Sequence, residues 1–163
     1  MGPRALGSRS ILADPRNASV RERLNRIIKD RETFRPFAPA VMRERAREYF
    51  DLPAGATAPF MLITFPVHAD RIGSIPAVVH VDGTARIQTV TEDDHPRFYR
   101  LLQRFCALTQ VPVLLNTSFN RAGEPMVNSP DDALRCLLNS GLDALVIEDY
   151  LVYPLNGHAP QRT

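Results

Sequence analysis

The chain has 163 residues, 44% of them hydrophobic, enough for one domain with its own core and too apolar for a disordered segment. No run approaches the roughly 20 apolar residues of a membrane span, and "MGPRALGSRS" lacks the apolar centre of a signal peptide. The net charge of +2 is too small to argue for nucleic acid.

In chain order, "GPRALGSRSILADPR" is rich in Gly, Pro and Ser and reads as an extended loop; residues 1–16 are expected to be a poorly packed linker, and 17–163 the domain. Residues 18–30 predict a helix with a Ser19/Glu22 capping box and an apolar stripe of Val20, Leu24, Ile27 and Ile28. Pro36 and Pro39 force extended backbone, and "PAVMRERAREYF" predicts a second short helix. "PFMLITFPV" is a strand candidate. "AVVHV" and "ARIQTV" around Asp82-Gly83 predict a β-hairpin.

"HPRFYRLLQRFCALTQ" predicts an amphipathic helix with Phe98, Leu101, Leu102, Phe105 and Leu108 on one face. "VPVLLNT" is the next strand. "SPDDALRCLLNSG" has the marks of a helix with Ser129 at its N-cap, Pro130 at the first position and Gly141 past its end. "LDALVIEDYLVYP" is the last strand. The pattern implies an α/β domain with a mixed sheet and flanking helices. Cys106 and Cys136 lie in helical patterns without metal-ligand spacing and are expected as buried free thiols, hence a reducing compartment and a cytoplasmic location.

Three stretches depart from core logic. In "NRIIKDRETFRPFAP", Lys29 and Arg35 sit at and beyond a helix end, with Arg31 between them. All other cationic residues of the chain are arginines, so Lys29 stands out as the single compact point charge. The plain alternative is helix-end electrostatics. In "HVDGTARIQTV", His80 interrupts an apolar strand and Arg86 leaves the turn; a satisfied core histidine and a ligand contact are equally open.

The third stretch, "VPVLLNTSFNRAGEP", begins as a core strand and exits through Asn116, Ser118, Asn120, Arg121 and Gly123. Ligands of α/β sheets bind beyond carboxyl ends of strands, and small polar groups beside an arginine fork suit a phosphate or other small anion. A polar turn without a ligand is the alternative.

Together, "GPRALGSRSILADPR", "FRPFAPAV", "VVHVDGTARIQTV", "PVLLNTSFNRAGEP" and "SPDDALRCLLNSGLDALVI" resemble the carbamoyltransferase C-terminal domain, the YrdC-like domain of the O-carbamoyltransferases of antibiotic biosynthesis and nodulation-factor decoration. The resemblance covers about residues 2–153 and implies a twisted, YrdC-like α/β fold. It also implies a domain that converts carbamoyl phosphate and ATP into carbamoyl adenylate, with Mg²⁺ arriving on the ATP. A separate N-terminal, Kae-like domain, absent from this chain, would carry the acceptor site and a histidine motif for iron or another divalent metal.

Carried over residue by residue, the resemblance implies catalytic roles for Lys29, Arg35, Arg86 and Arg121. It implies substrate-binding roles for Arg4, His80, Asn116, Ser118 and Asn120, with Ser118-Phe119-Asn120 as a Ser-x-Asn element; no metal ligand is expected in this domain. The Lys29/Arg35 pair is spaced six apart where the YrdC-like group has two. Ala122 stands where many members carry an arginine. Arg4 and Arg9 would face the N-terminal domain. Neither a membrane nor nucleic acid is an expected partner, and a homodimer is left open. Two other functions stay in play: a nucleotide- or partner-binding module without turnover, and a YrdC-like threonylcarbamoyl-adenylate synthase for tRNA modification.

Overall fold

The computed structural model describes residues 5–155. In chain order its elements are β1 (Ser10–Ala13), α1 (Ala18–Arg23), β2 (Ala38–Met42), β3 (Thr64–Pro66), β4 (Thr84–Arg86), β5 (Gln88–Val90), α2 (Pro96–Thr109), β6 (Val113–Ser118), α3 (Pro130–Ser140), β7 (Leu145–Ile147) and β8 (Tyr150–Val152), with single π and 3-10 turns between some of them. Four strands form a sheet in the order β1-β6-β2-β5. β6 is antiparallel to both β1 and β2, and β2 is parallel to β5. The fold is the α/β class with a mixed sheet and flanking helices that the pattern predicts.

Strand alternation sorts the core. Val113 and Leu115 of β6, with Val41 of β2, join a large cluster that includes Phe50, Ile75 and Leu137. Leu114, with Ala40 and Met42, faces the other way onto Val90, Phe98 and Leu102. α3 covers the first face through Ala133, Cys136 and Leu137, and α2 the second through Phe98 and Leu102. The two inner strands are therefore buried on both sides and read as continuous apolar runs.

That burial explains the largest correction. "PAVM" was expected to be helical, yet Ala38–Met42 is a strand in which every residue is buried. A short apolar run looks the same in a buried helix and a buried strand, and only a 3-10 turn, Arg43–Glu48, follows it. Pro39 is accommodated because pairing with β5 begins one residue later, at Ala40.

Part of the segment expected as a linker has regular structure. Ser10–Ala13 is an edge strand with Ile11 buried, and Ser10 stands opposite Ser118. Gly7 has φ 109°, and a Cβ there would come within 2.5 Å of Phe98 Cδ1, so the chain at Gly7 lies against α2. Gly7 here answers to close packing rather than to a loose chain.

Smaller corrections are local. Asn17, not Ser19, caps α1 by accepting from the Ser19 N–H, and the helix passes into a π turn over Leu24–Ile28. The Asp82-Gly83 turn forms, with the His80 N–H donating to the Thr84 carbonyl at 2.8 Å. "AVVHV" is not its strand, however: Pro76 starts a 3-10 turn, and β4 pairs with β3 instead. Leu101 and Leu108 of α2 are exposed, because at about 100° per residue they lie to one side of the Phe98–Leu102 stripe. The last predicted strand folds back on itself at Glu148 (φ 50°) into the β7–β8 hairpin. α3 matches expectation, with Ser129 and Asp132 closing a capping box and Gly141 in the left-handed region. Cys136 is buried, Cys106 is half-buried, and both are free.

Candidate functional site

β6 ends at Ser118, and a cleft of about 420 Å³ opens beside its last three residues, Asn116 to Ser118. Leu6, Arg31, Phe37, Arg86, Asn116 and Ser118 are among the residues that line it. A smaller cleft of about 310 Å³ between Arg43, Glu44 and Tyr99 holds none of the expected site residues.

The cationic wall is set by one buried amide. The π turn after α1 places Asn25 fully inside the fold. Its Nδ2 donates to the Thr33 and Arg35 carbonyls at 3.0 and 2.8 Å, and its Oδ1 accepts from Arg31 Nε at 2.7 Å. Three hydrogen bonds from one side chain thus fix the loop over residues 31–35. Arg31 then lies over the Phe37 ring, 4.6 Å from its centroid, an arrangement that favours a guanidinium.

The charges gathered here are alike. Burial, and then the nearby Arg35, hold the Arg31 guanidinium below its usual pKa; Glu32 opposes this and Arg86 adds to it. Among the described residues no carboxylate forms an ion pair with Arg31, Arg35 or Arg86. Such a concentration of positive charge favours an anion between these groups. His80 belongs to the same neighbourhood. Burial lowers its pKa, Asp82 pulls it back and Arg86 lowers it further; its Nδ1 lies 3.1 Å from Thr84 Oγ1.

Lys29 does something different. Its ammonium donates to the Ser118 and Asn120 carbonyls, both at 2.8 Å, to Asn120 Oδ1 at 2.9 Å and to Ser118 Oγ at 3.3 Å. Asn120 is further occupied: Ser118 Oγ donates to its Oδ1, and its Nδ2 donates to the Arg121 and Glu124 carbonyls. The strand exit is therefore a closed knot around one cation.

Asn116 is the exception in that stretch. It is 1% exposed. Its Nδ2 donates to Gln88 Oε1 at 2.8 Å, while its Oδ1 is buried with no partner among the described residues. A buried carbonyl oxygen left unpaired is rare and costs about 1–3 kcal/mol, and Asn116 is one of the residues that line the cleft.

The expected residues are thus distributed as follows. Arg86, Asn116 and Ser118 line the cleft; Arg35 lies within electrostatic range of Arg31, and His80 within that of Arg86. Lys29 and Asn120 hold the strand exit together. Arg121 is outside the lining and faces Glu124, with 3.5 Å between Nη1 and Oε1. Arg4 lies outside the described residues. Arg9 ties β1 inward, its Nη1 donating to the Val127 carbonyl. Arg31, Asn25 and Gln88 were not singled out from the sequence. Asn25 stands between Leu24 and Arg26 and Gln88 between Ile87 and Thr89, so no local pattern marked either.

The chain is thus an α/β domain in which Arg31, Arg86 and Asn116 line one cleft beside the end of a core strand. The chain belongs to the carbamoyltransferase C-terminus family, whose model matches residues 1–153. It is 49% identical over 152 residues to nodulation protein NolNO of Sinorhizobium fredii and 47% identical over 152 residues to nodulation protein NolO of Bradyrhizobium diazoefficiens, covering 93% of this chain in each case. It is 40% identical over 149 residues to the 3'-hydroxymethylcephem-O-carbamoyltransferase of Amycolatopsis lactamdurans, 91% of this chain. These matches span 22%, 28% and 28% of the three relatives' own lengths, so the chain corresponds to about a quarter of each. No helix among the described residues is long and apolar enough to cross a membrane.

Proposed function

We propose that this chain binds carbamoyl phosphate and ATP and forms carbamoyl adenylate, the half-reaction that activates a carbamoyl group for transfer to an acceptor hydroxyl. The observation that carries this reading is that Arg31, Arg86 and Asn116 line one cleft, and that the buried Asn116 Oδ1 has no partner among the described residues. Phosphates require the arginines, and the N–H of a carbamoyl group suits the Asn116 oxygen. A charge-only site would hold free phosphate equally well.

In this reading Arg31, Arg35 and Arg86 take the phosphate oxygens. Asn116 accepts from the carbamoyl nitrogen, and Ser118 borders it. Lys29 keeps the strand exit in shape and adds charge from below. Arg121, His80 and Asn120 serve at the margins of the site, and a substrate-binding role is proposed for Arg4.

Carbamoyl phosphate loses its phosphate to water and leaves carbamate. One carbamate oxygen then attacks the α-phosphate of ATP, and pyrophosphate departs with the bridging oxygen's electrons. No side-chain nucleophile is needed; the protein supplies alignment and charge neutralisation. Mg²⁺ would enter on the ATP phosphates and offset their charge. Transfer to the acceptor would fall to an N-terminal, Kae-like domain with its own iron or other divalent metal, in the cytoplasm.

The test is exchange of labelled pyrophosphate into ATP, which should depend on carbamoyl phosphate. Exchange that instead needs threonine and bicarbonate would assign the chain to tRNA modification. ATP binding with no exchange under either condition would leave a binding module.

A further inference from the structure

We propose that Gln88 is a positioning residue that fixes which end of Asn116 meets the ligand, and so makes the cleft select a group carrying N–H. The proposal rests on the carbamoyl phosphate reading above and names what sets its selectivity.

The two ends of an amide side chain have nearly the same shape, and only the hydrogen-bond network decides which lies where. Here the network has a fixed starting point. The Leu6 main-chain oxygen can only accept, and it accepts from Gln88 Nε2 at 3.1 Å. Gln88 Oε1 therefore faces Asn116 and can only accept in turn, which it does from Asn116 Nδ2 at 2.8 Å. Asn116 has no choice left: its Oδ1 is the remaining end, buried and without a donor among the described residues.

Reversing Asn116 would set its Oδ1 against Gln88 Oε1. Reversing both would set Gln88 Oε1 against the Leu6 oxygen. Gln88 is itself only 4% exposed, so water has little access to soften either clash. The polarity of the cleft's neutral wall is thus dictated by a main-chain carbonyl two residues away in the relay, in the segment just before β1. A planar carbamoyl NH₂ satisfies such an acceptor, and a methyl of the same size does not.

Calorimetry on the 163-residue chain with three probes, carbamoyl phosphate, acetyl phosphate and inorganic phosphate, tests this. The wild type should bind carbamoyl phosphate roughly tenfold more tightly than acetyl phosphate, the worth of one buried hydrogen bond. Gln88→Met keeps length but makes neither hydrogen bond; its ratio should fall to about one while inorganic phosphate affinity stays unchanged, since the arginines are untouched. Gln88→Glu can still accept from Asn116 Nδ2 and should keep the ratio, even with lower stability. A purely structural role for Gln88 would make the buried carboxylate the worse of the two.

A Gln88→Met protein that keeps the ratio while Asn116→Ala loses it would overturn the role of Gln88 and leave the site reading intact. So would a folded Gln88→Glu protein that has lost the ratio. A wild type that does not distinguish the two acyl phosphates, or an Asn116→Ala protein that still does, would defeat the site reading and this inference with it.

Discussion

Lys29 and Asn120 meet twice: the ammonium donates to the Asn120 main-chain oxygen at 2.8 Å and to its side-chain Oδ1 at 2.9 Å. With two further contacts to Ser118, the cation closes the exit of β6 onto the end of the π turn. Replacing it by Met removes the donor and leaves several oxygens facing apolar atoms. Lys29→Met should cost about 2 kcal/mol of stability in urea unfolding, of the order of one or two charge-assisted hydrogen bonds. Amide exchange should accelerate at residues 118–121 before it does in α2. Unchanged exchange there would mean that the clip does not hold the loop.

Asn25 touches no ligand in this account, yet its amide fixes the arginine loop through Thr33, Arg35 and Arg31. Asn25→Leu keeps the volume and removes all three hydrogen bonds. We expect a loss of about 2–4 kcal/mol in stability, because two carbonyls and a guanidinium N–H lose their partners. Phosphate affinity should fall with it, measured by calorimetry at a temperature where the variant is fully folded. Full affinity in such a protein would show that the loop finds its shape without Asn25.

Gly7 combines φ 109° with a would-be Cβ contact of 2.5 Å to the Phe98 ring. Gly7→Ala should therefore lower stability by about 2–4 kcal/mol, from backbone strain and overpacking together. Since Leu6 is the next residue, the carbamoyl-to-acetyl selectivity should weaken too. A wild-type melting temperature in Gly7→Ala would contradict the close packing of this segment.

His80 gives the protein a pH signature. Its folded pKa lies below the ordinary 6.5, first because of burial. The unfolded chain then takes up the proton at higher pH than the folded one. The stability tied to His80 is complete above about pH 6.5 and declines as pH falls from there toward the folded pKa. His80→Gln should lose less melting temperature than the wild type between pH 7 and pH 5. Parallel slopes in the two proteins would refute a depressed pKa at this position.

What the sequence reveals follows from how local each signal is. α3 was legible because Ser129, Pro130, Asp132 and Gly141 mark both its ends within the segment itself. α2 was legible from its period, though Leu101 and Leu108 show that period alone does not say how wide the buried stripe is. β2 was hidden because both its faces are covered, which removes alternation. β1 was hidden because Gly7 beside it answers to Phe98, a residue some 90 positions away.

The site divides in the same manner. Asn116, Ser118 and Arg86 were readable as polar residues where a core strand ends or turns. Gln88 and Asn25 were not, since each becomes meaningful only through a carbonyl brought to it by the fold, that of Leu6 for one and those of Thr33 and Arg35 for the other. Arg31 looked like one more charge in a charged stretch until Phe37 and Arg86 gave it a setting.

The central claim is that one cleft reads phosphate with arginines and the carbamoyl group with Asn116. Its most direct measurement is carbamoyl phosphate affinity of the wild type against Arg31→Met, Arg86→Met and Asn116→Ala, with inorganic phosphate as the second ligand. The account predicts that both arginine variants lose affinity for both ligands. Asn116→Ala should lose roughly tenfold for carbamoyl phosphate alone. Wild-type affinity in either arginine variant, or equal losses for the two ligands in Asn116→Ala, would contradict it.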